Sequence, residues 1–233
     1  MDKPAGMPSV SLKSGEKDTL AAWIIGRFPG QAEIGREDLE GGLVHRLDND
    51  TSGIMVAAKS QAAYEDLRRQ FDEGSVRKEY QALAIGSPPE RGLIDTPIAH
   101  HPRKKKKMVA CTSPEEAEKW KGRPAHTEFE VIRRFKILRG PTPPGEIFAL
   151  LSVTIATGVR HQIRVHLSSI GFPIAGDRLY QKKKGTFLIF PFSRQLLHAS
   201  GIEFLHPATA RLIKLSSPLP ADFKDAISTL KPR

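Results

Sequence analysis

The sequence predicts an α+β fold in a single domain, on three observations. Strand-like runs alternate with a few helical ones. No internal repeat or separating linker interrupts them, and 39% hydrophobic residues in a chain of 233 suffice for a sizeable core.

From Thr19, the spacing of Leu20, Ile24 and Phe28 predicts a short helix stopped by Pro29-Gly30. Ile54 to Ala58, reached through Thr51-Ser-Gly53, reads as a buried strand. Ser60 is placed to cap a second helix, in which Ala63, Leu67 and Phe71 form an apolar face ending at Gly74. Lys78 to Gly86 reads as a strand with Tyr80, Ala82 and Ala84 on one side and Gln81, Leu83 and Ile85 on the other. His126 to Phe135 and Ile147 to Ala156 predict two strands of a hairpin, joined by the Pro/Gly-rich residues 140–145. Arg160 to Ile170 is helical by the stripe Ile163, Leu167, Ile170, with Gly171 at its end and with Arg160 and Arg164 on a neighbouring face. Gln195 to Phe204 and Arg211 to Leu215 read as strands around His206-Pro207, and Ala221 to Leu230 as a closing helix.

Composition narrows the function classes. Cys111 is the single cysteine, which excludes an intramolecular disulfide and a Cys-rich zinc cage and points to the cytoplasm. The N-terminus has an acid and a proline where a secretory signal needs an apolar run. The longest apolar stretch, Ile147 to Ala156, is about half of what a membrane span needs, so no membrane association is expected. A formal charge of +10 favours polyanionic partners, with nucleic acid ahead of anionic membrane and a merely basic enzyme as the plain alternative.

The segment Gly41-Gly-Leu-Val-His-Arg-Leu-Asp-Asn-Asp-Thr-Ser-Gly53 admits several readings. As a calcium loop starting at Asp48 it fails at the twelfth position, where Lys59 stands in place of an acid. As a kinase catalytic loop it has a Leu between the Arg and the Asp, and it lacks the accompanying Gly-rich and Asp-Phe-Gly motifs. Asp48 and Asp50 would point to opposite faces of an extended chain, against a glycosidase pair, although a turn would bring them together. A set of Asx and Ser/Thr turns joining two elements is the plain structural reading.

The motif Gly42-Leu-Val-His-Arg-Leu-Asp-Asn-Asp-Thr-Ser-Gly-Ile-Met-Val56 resembles the catalytic motif of the RluA family of RNA pseudouridine synthases. In order along the chain, Asp2 to Gly6, Arg77 to Leu83, Gly158 to His166 with Gly176 to Tyr180, and Leu197 to Ala199 with Phe204 to Pro207 resemble further motifs of that family. The resemblance implies the pseudouridine synthase fold, a curved, mixed but largely antiparallel sheet flanked by helices and loops. It implies Asp48 as the catalytic aspartate, Tyr80 as the aromatic residue beside the target base, Arg164 as the basic partner of Asp48, and Arg46 as a residue holding the nucleotide out of its helix. The implied reaction turns uridine into pseudouridine in structured RNA, ribosomal ahead of transfer RNA, after base flipping, with no cofactor and no metal. It also implies one catalytic domain over residues 1–233, without an S4-type domain, acting as a monomer.

Two features depart from the family pattern. Only Met1 and Asp2 precede Lys3-Pro4, where relatives have an apolar strand, so one sheet strand is expected to be missing. Val159 stands where many relatives carry an Arg after the Gly, and Arg160 is assigned that Arg's role.

Arg103, Lys104, Lys105, Lys106 and Lys107 form one basic run, and Lys182, Lys183 and Lys184 another; without these eight charges the chain carries only +2. Both are expected to grip RNA phosphates beside the cleft holding Asp48, whereas most such runs are solvated loops. The rivals are an RNA-binding protein without turnover and an enzyme that releases free uracil.

Overall fold

The computed structural model describes residues 1–11, 17–36, 40–136, 147–181 and 192–232. In chain order the elements are β1 (Asp2–Lys3), α1 (Leu20–Arg27), a 3-10 turn (Pro29–Glu33), β2 (Ser52–Ile54), α2 (Gln61–Asp72), β3 (Arg77–Ile85), β4 (Arg91–Asp95), β5 (Ile98–His100), β6 (Met108–Ala110) and α3 (Pro114–Lys119). There follow β7 (His126–Lys136), β8 (Ile147–Ile155), α4 (Gln162–Ser169), β9 (Leu197–Leu205), β10 (Leu212–Ser216), α5 (Ala221–Ser228) and β11 (Lys231–Pro232). The fold is α+β, and every strand pair described below with its register is antiparallel. The chain forms two compact units, Met1–Lys78 with Ala199–Pro218, and Glu79–His198 with Leu219–Arg233.

In the first unit Thr19 caps α1, its Oγ1 accepting from the Ala22 amide at 3.1 Å. Leu20 and Ile24 are buried as the spacing predicts, but Phe28 is half exposed: the chain leaves the helix there at φ −136°, ψ 80° and turns the ring off the stripe. Ser60 caps α2 at Ala63. The buried stripe of α2 is Tyr64, Leu67 and Gln70, one residue round from the predicted one. Gln70 is worth burying because both ends of its amide are used: Nε2 donates to the Leu205 carbonyl at 2.8 Å and Oε1 accepts from the Leu205 amide at 2.9 Å, tying α2 to β9.

The predicted strand over Ile54 to Ala58 is corrected to Ser52–Ile54. Met55 still pairs with Met1, its amide donating to the Met1 carbonyl at 2.8 Å, and beyond it the residues change partner: the Val44 amide donates to the Val56 carbonyl and the Ala58 amide to the Gly42 carbonyl. β2 also neighbours β9, which pairs with β10 from Leu212↔Leu205 to Ser216↔Gly201. Gly53 holds φ +124° against β9, where a Cβ would run into the backbone of Ala199.

In the second unit β8 lies between β3 and β7, and β7 also pairs with β4 and β11. The predicted hairpin is present, with a bulge between Val131 and Arg133 that leaves Ile132 half exposed; its connection, residues 140–145, lies outside the described residues. Leu83 and Ile85 share a core with Phe135, Phe148, Leu150 and, from the closing helix, Phe223 and Ala226. A smaller cluster packs Ile98, Met108 and Ala110 from the β5–β6 hairpin against Val159 and Val165. Helix α4 starts at Gln162, two residues later than predicted, because His161 takes a left-handed conformation at φ 58°. Arg160 therefore precedes the helix, exposed, and does not share its face with Arg164.

Candidate active site

Asp48 lies in the first unit, half-buried, on a turn closed by the Thr51 amide donating to the Asp48 carbonyl at 3.1 Å. Both neighbours of Asp48 are fixed. Ser9 Oγ donates to the Leu47 carbonyl at 3.0 Å and accepts from the Leu47 amide at 3.1 Å. On the other side the Asn49 carbonyl accepts from Lys3 Nζ at 2.9 Å and from the Gly6 amide at 3.0 Å. Lys3 is 1% exposed, and its ammonium also reaches the carbonyls of Pro4 at 2.9 Å and Met7 at 2.7 Å. A buried ammonium spread over several carbonyls is a strong clamp, because each bond is charge-assisted. The segment Asp2 to Gly6 thus serves as a backing for the aspartate turn.

Gly41 and Gly42, at φ 63° and 73°, lead into this turn, and Gln31 Nε2 bridges the Gly41 and Ala58 carbonyls at 3.1 and 2.9 Å. Arg46 is exposed. Between them His45 stacks on Phe71 at 4.9 Å, and its Nε2 accepts from the Val56 amide at 3.0 Å, which places its proton on Nδ1. Although part of the residue reaches the surface, enclosure of the ring pushes its pKa down to about 3, helped by the positive charges of Lys78, the N-terminus and Arg68. His45 is therefore neutral at physiological pH and serves as an acceptor for the Val56 amide. Burial likewise lowers Lys78 to about 8, with its ammonium 5.7 Å from the Phe71 ring centre.

Tyr80 and Arg164 lie in the second unit, both buried, on β3 and α4. Gln162 anchors the start of α4: its Oε1 accepts from Thr157 Oγ1 at 2.8 Å and the Val159 amide at 3.1 Å, and its Nε2 donates to the His126 carbonyl at 2.8 Å. His166, one turn on, joins Thr127 Oγ1 and the Thr96 carbonyl, each at 2.9 Å. Arg164 Nε and Nη2 donate to the two oxygens of Asp177 at 2.7 and 3.0 Å. Asp177 Oδ1 also accepts from the amides of Leu179 and Tyr180 at 2.9 and 3.2 Å, so the carboxylate is fixed from both sides. The guanidinium carbon stands 5.2 Å from the centre of the Tyr180 ring.

Arg103, Lys104, Lys105 and Lys106 are exposed at the tip of the β5–β6 hairpin, closed by the Lys107 amide on the Lys104 carbonyl at 2.8 Å. Lys107, at its base, places its ammonium 5.5 Å from the same Tyr180 ring. The second unit thus brings the basic hairpin and Arg164 onto one aromatic residue. Lys182, Lys183 and Lys184 lie outside the described residues. Among the described residues no three His, Cys, Asp or Glu side chains converge as metal ligands would, and no helix is long and apolar enough to cross a membrane.

A family model described as RNA pseudouridylate synthase matches residues 1–169, the stretch that holds Asp48, Tyr80 and Arg164. The chain belongs to this family, as its RluA-like motifs imply. It is 38% identical over 232 residues to an uncharacterized RNA pseudouridine synthase of Chloroflexus aurantiacus, covering all of this chain and 66% of the relative. It is 32% and 35% identical to ribosomal large subunit pseudouridine synthase D of Nitrosomonas europaea and of Pseudomonas aeruginosa, over 99% of this chain and 62% and 68% of theirs. The chain spans about two thirds of the length of these relatives. Two solved structures share the fold at 24% identity: human RNA pseudouridylate synthase domain containing 1, with a TM-score of 0.72 over 99% of this chain and 91% of that one, and domain containing 4, with 0.67 over 100% and 89%.

Proposed function

We propose that this chain isomerises uridine to pseudouridine in structured RNA, acting as a cytoplasmic monomer on ribosomal rather than transfer RNA. The observation that carries the proposal is the family match over residues 1–169, in which the motif-borne Asp48, Tyr80 and Arg164 all fall. Relatives named for the ribosomal large subunit support ribosomal RNA as the substrate.

In this reading the target nucleotide leaves its helix and Arg46 holds it out. The bond from C1′ to N1 breaks, the uracil turns, and C1′ closes on C5; C5 gives up a proton and N1 gains one, so no group is imported. Asp48 carries the rearrangement as an ionised carboxylate, and Arg164 keeps it ionised where water is scarce. Tyr80 stacks on the base and relays the C5 proton through its hydroxyl. The rigid backing of the aspartate turn by Lys3 and Ser9 supports this, because a reacting carboxylate must not drift. Arg103 to Lys107, Arg160 and Lys182 to Lys184 supply phosphate contacts.

Incubating the purified chain with in vitro transcribed large-subunit ribosomal RNA, and separately with transfer RNA, tests the reading. Carbodiimide-stop sequencing should reveal pseudouridine in the ribosomal transcript only. Modification of transfer RNA alone overturns the substrate, binding without pseudouridine overturns the reaction, and free uracil replaces it with base release.

A further inference from the structure

Tyr180 is the residue on which the second unit's separate parts meet. Its hydroxyl accepts from the Met108 amide at 2.8 Å, at the base of the basic hairpin, and is hydrogen-bonded to His161 Nδ1 at 2.7 Å, at the start of α4. Its amide donates to Asp177 and its carbonyl accepts from Ser168 Oγ at 2.9 Å, in the last turn of α4. Its ring carries two cations, the Arg164 guanidinium at 5.2 Å and the Lys107 ammonium at 5.5 Å. A half-buried tyrosine needs one partner for its hydroxyl; one tied through hydroxyl, amide, carbonyl and ring is over-determined for packing alone.

From this geometry we infer that Tyr180 is a positioning residue that couples the grip of the Arg103–Lys107 hairpin on RNA to the orientation of Arg164. The inference rests on the reading of this chain as an RNA-modifying enzyme. Asp177 holds Arg164 in the plane of its guanidinium, and the Tyr180 ring faces it from another side. The four charges at the hairpin tip are exposed, while its base is joined to Tyr180 through Met108 and Lys107. When phosphates engage the tip, any shift of the base moves the Met108 amide and the Lys107 charge, and the ring shared with Arg164 moves with them. Arg164 then takes its working orientation when the backbone of a structured RNA is in place, which selects against free nucleotides and short single strands.

The test is a double-mutant cycle between Tyr180→Phe, which keeps the ring and removes the hydroxyl, and a hairpin variant with Lys104, Lys105 and Lys106 changed to Ala. With the large-subunit transcript, the hairpin variant should raise KM and also lower kcat by roughly tenfold, the worth of about one positioning hydrogen bond. In the Tyr180→Phe background, where kcat is already reduced, the hairpin change should still raise KM but lower kcat no further. Losses of kcat that multiply independently overturn the coupling.

A second measurement does not need turnover. In 15N-labelled protein the Arg164 Nε–H resonance, assigned by its disappearance in Arg164→Lys, should shift on adding an RNA stem–loop to the wild type and stay in place in Tyr180→Phe. An equal shift in both, or none in the wild type, overturns the inference. If the shift depends on Tyr180 while no transcript gains pseudouridine, the coupling stands and the enzymatic reading falls.

Discussion

Arg164 and Asp177 face each other through two parallel hydrogen bonds of 2.7 and 3.0 Å, with the arginine side chain 6% exposed and the carboxylate fully enclosed. Such a fork fixes the plane of the guanidinium as well as its charge.

Removing one partner leaves the other as an uncompensated buried charge. Asp177→Ala should therefore cost about 3–5 kcal/mol, and lower the midpoint of thermal unfolding by about 10 °C. Asp177→Asn retains an acceptor and should cost less stability. Thermal unfolding of both variants checks this, and an unchanged midpoint in Asp177→Ala contradicts it.

Asp177 also shows where the sequence stops being legible. The motif Gly176 to Tyr180 stands out, yet its spacing gives no sign that its acid grips Arg164, thirteen residues earlier. The helices with a cap and an apolar stripe, α1 and α2, are readable because both signals are local. Their detailed faces are not, since Gln70 is buried only because β9 offers Leu205 as a partner. The three-residue strands of the β5–β6 hairpin are too short for any periodicity, so the basic run reads as a bare loop although it is a hairpin tip. Helix α3 did carry a signal, with Ser113 as cap, Pro114 at its first position and Glu116 accepting from the Thr112 amide at 2.8 Å. Of the site itself, the residue identities of Asp48, Tyr80 and Arg164 come from motif resemblance; the supports Lys3, Ser9 and Asp177 come from other segments and, like the partners of Gln162 on α4, need the fold.

His45 makes the protein acid-sensitive. Its folded pKa is about 3, below the ordinary 6.5, so between those values the unfolded chain takes up a proton that the folded one refuses. The contribution of His45 is fully present above about pH 6.5 and is lost as pH falls toward 3. Allowing for solvent around the residue, urea unfolding should show about 1–2 kcal/mol lost between pH 6.5 and 4.5. In His45→Gln, which keeps an acceptor for Val56 but cannot be protonated, that part of the loss should disappear; an identical pH dependence in both proteins contradicts the assignment.

Two glycines with positive φ should respond differently to alanine. At Gly171, with φ +90° and open space around it, Ala incurs only backbone strain, about 1–2 kcal/mol. At Gly53 the added methyl also meets the Ala199 backbone, so Gly53→Ala should be the more destabilising by at least about 2 kcal/mol. Chemical unfolding of both variants decides it, and equal losses contradict the packing of β2 on β9.

If the hairpin tip meets phosphates, RNA affinity should lose salt dependence when its charges go. Changing Lys104, Lys105 and Lys106 to Ala should make the slope of log affinity against log salt shallower by about 2. Fluorescence anisotropy with a labelled stem–loop RNA measures it; an unchanged slope places the RNA elsewhere.

On the proposed function, Asp48 makes this chain an isomerase of uridine in RNA. Pseudouridine mapping across all RNA from cells lacking the gene, complemented in turn with wild type and with Asp48→Asn, tests it most directly. The expected result is a large-subunit ribosomal RNA site that is missing in the deletion, returns with the wild type and stays missing with Asp48→Asn. Restoration by Asp48→Asn, or an unaltered pseudouridine map in the deletion, would contradict it.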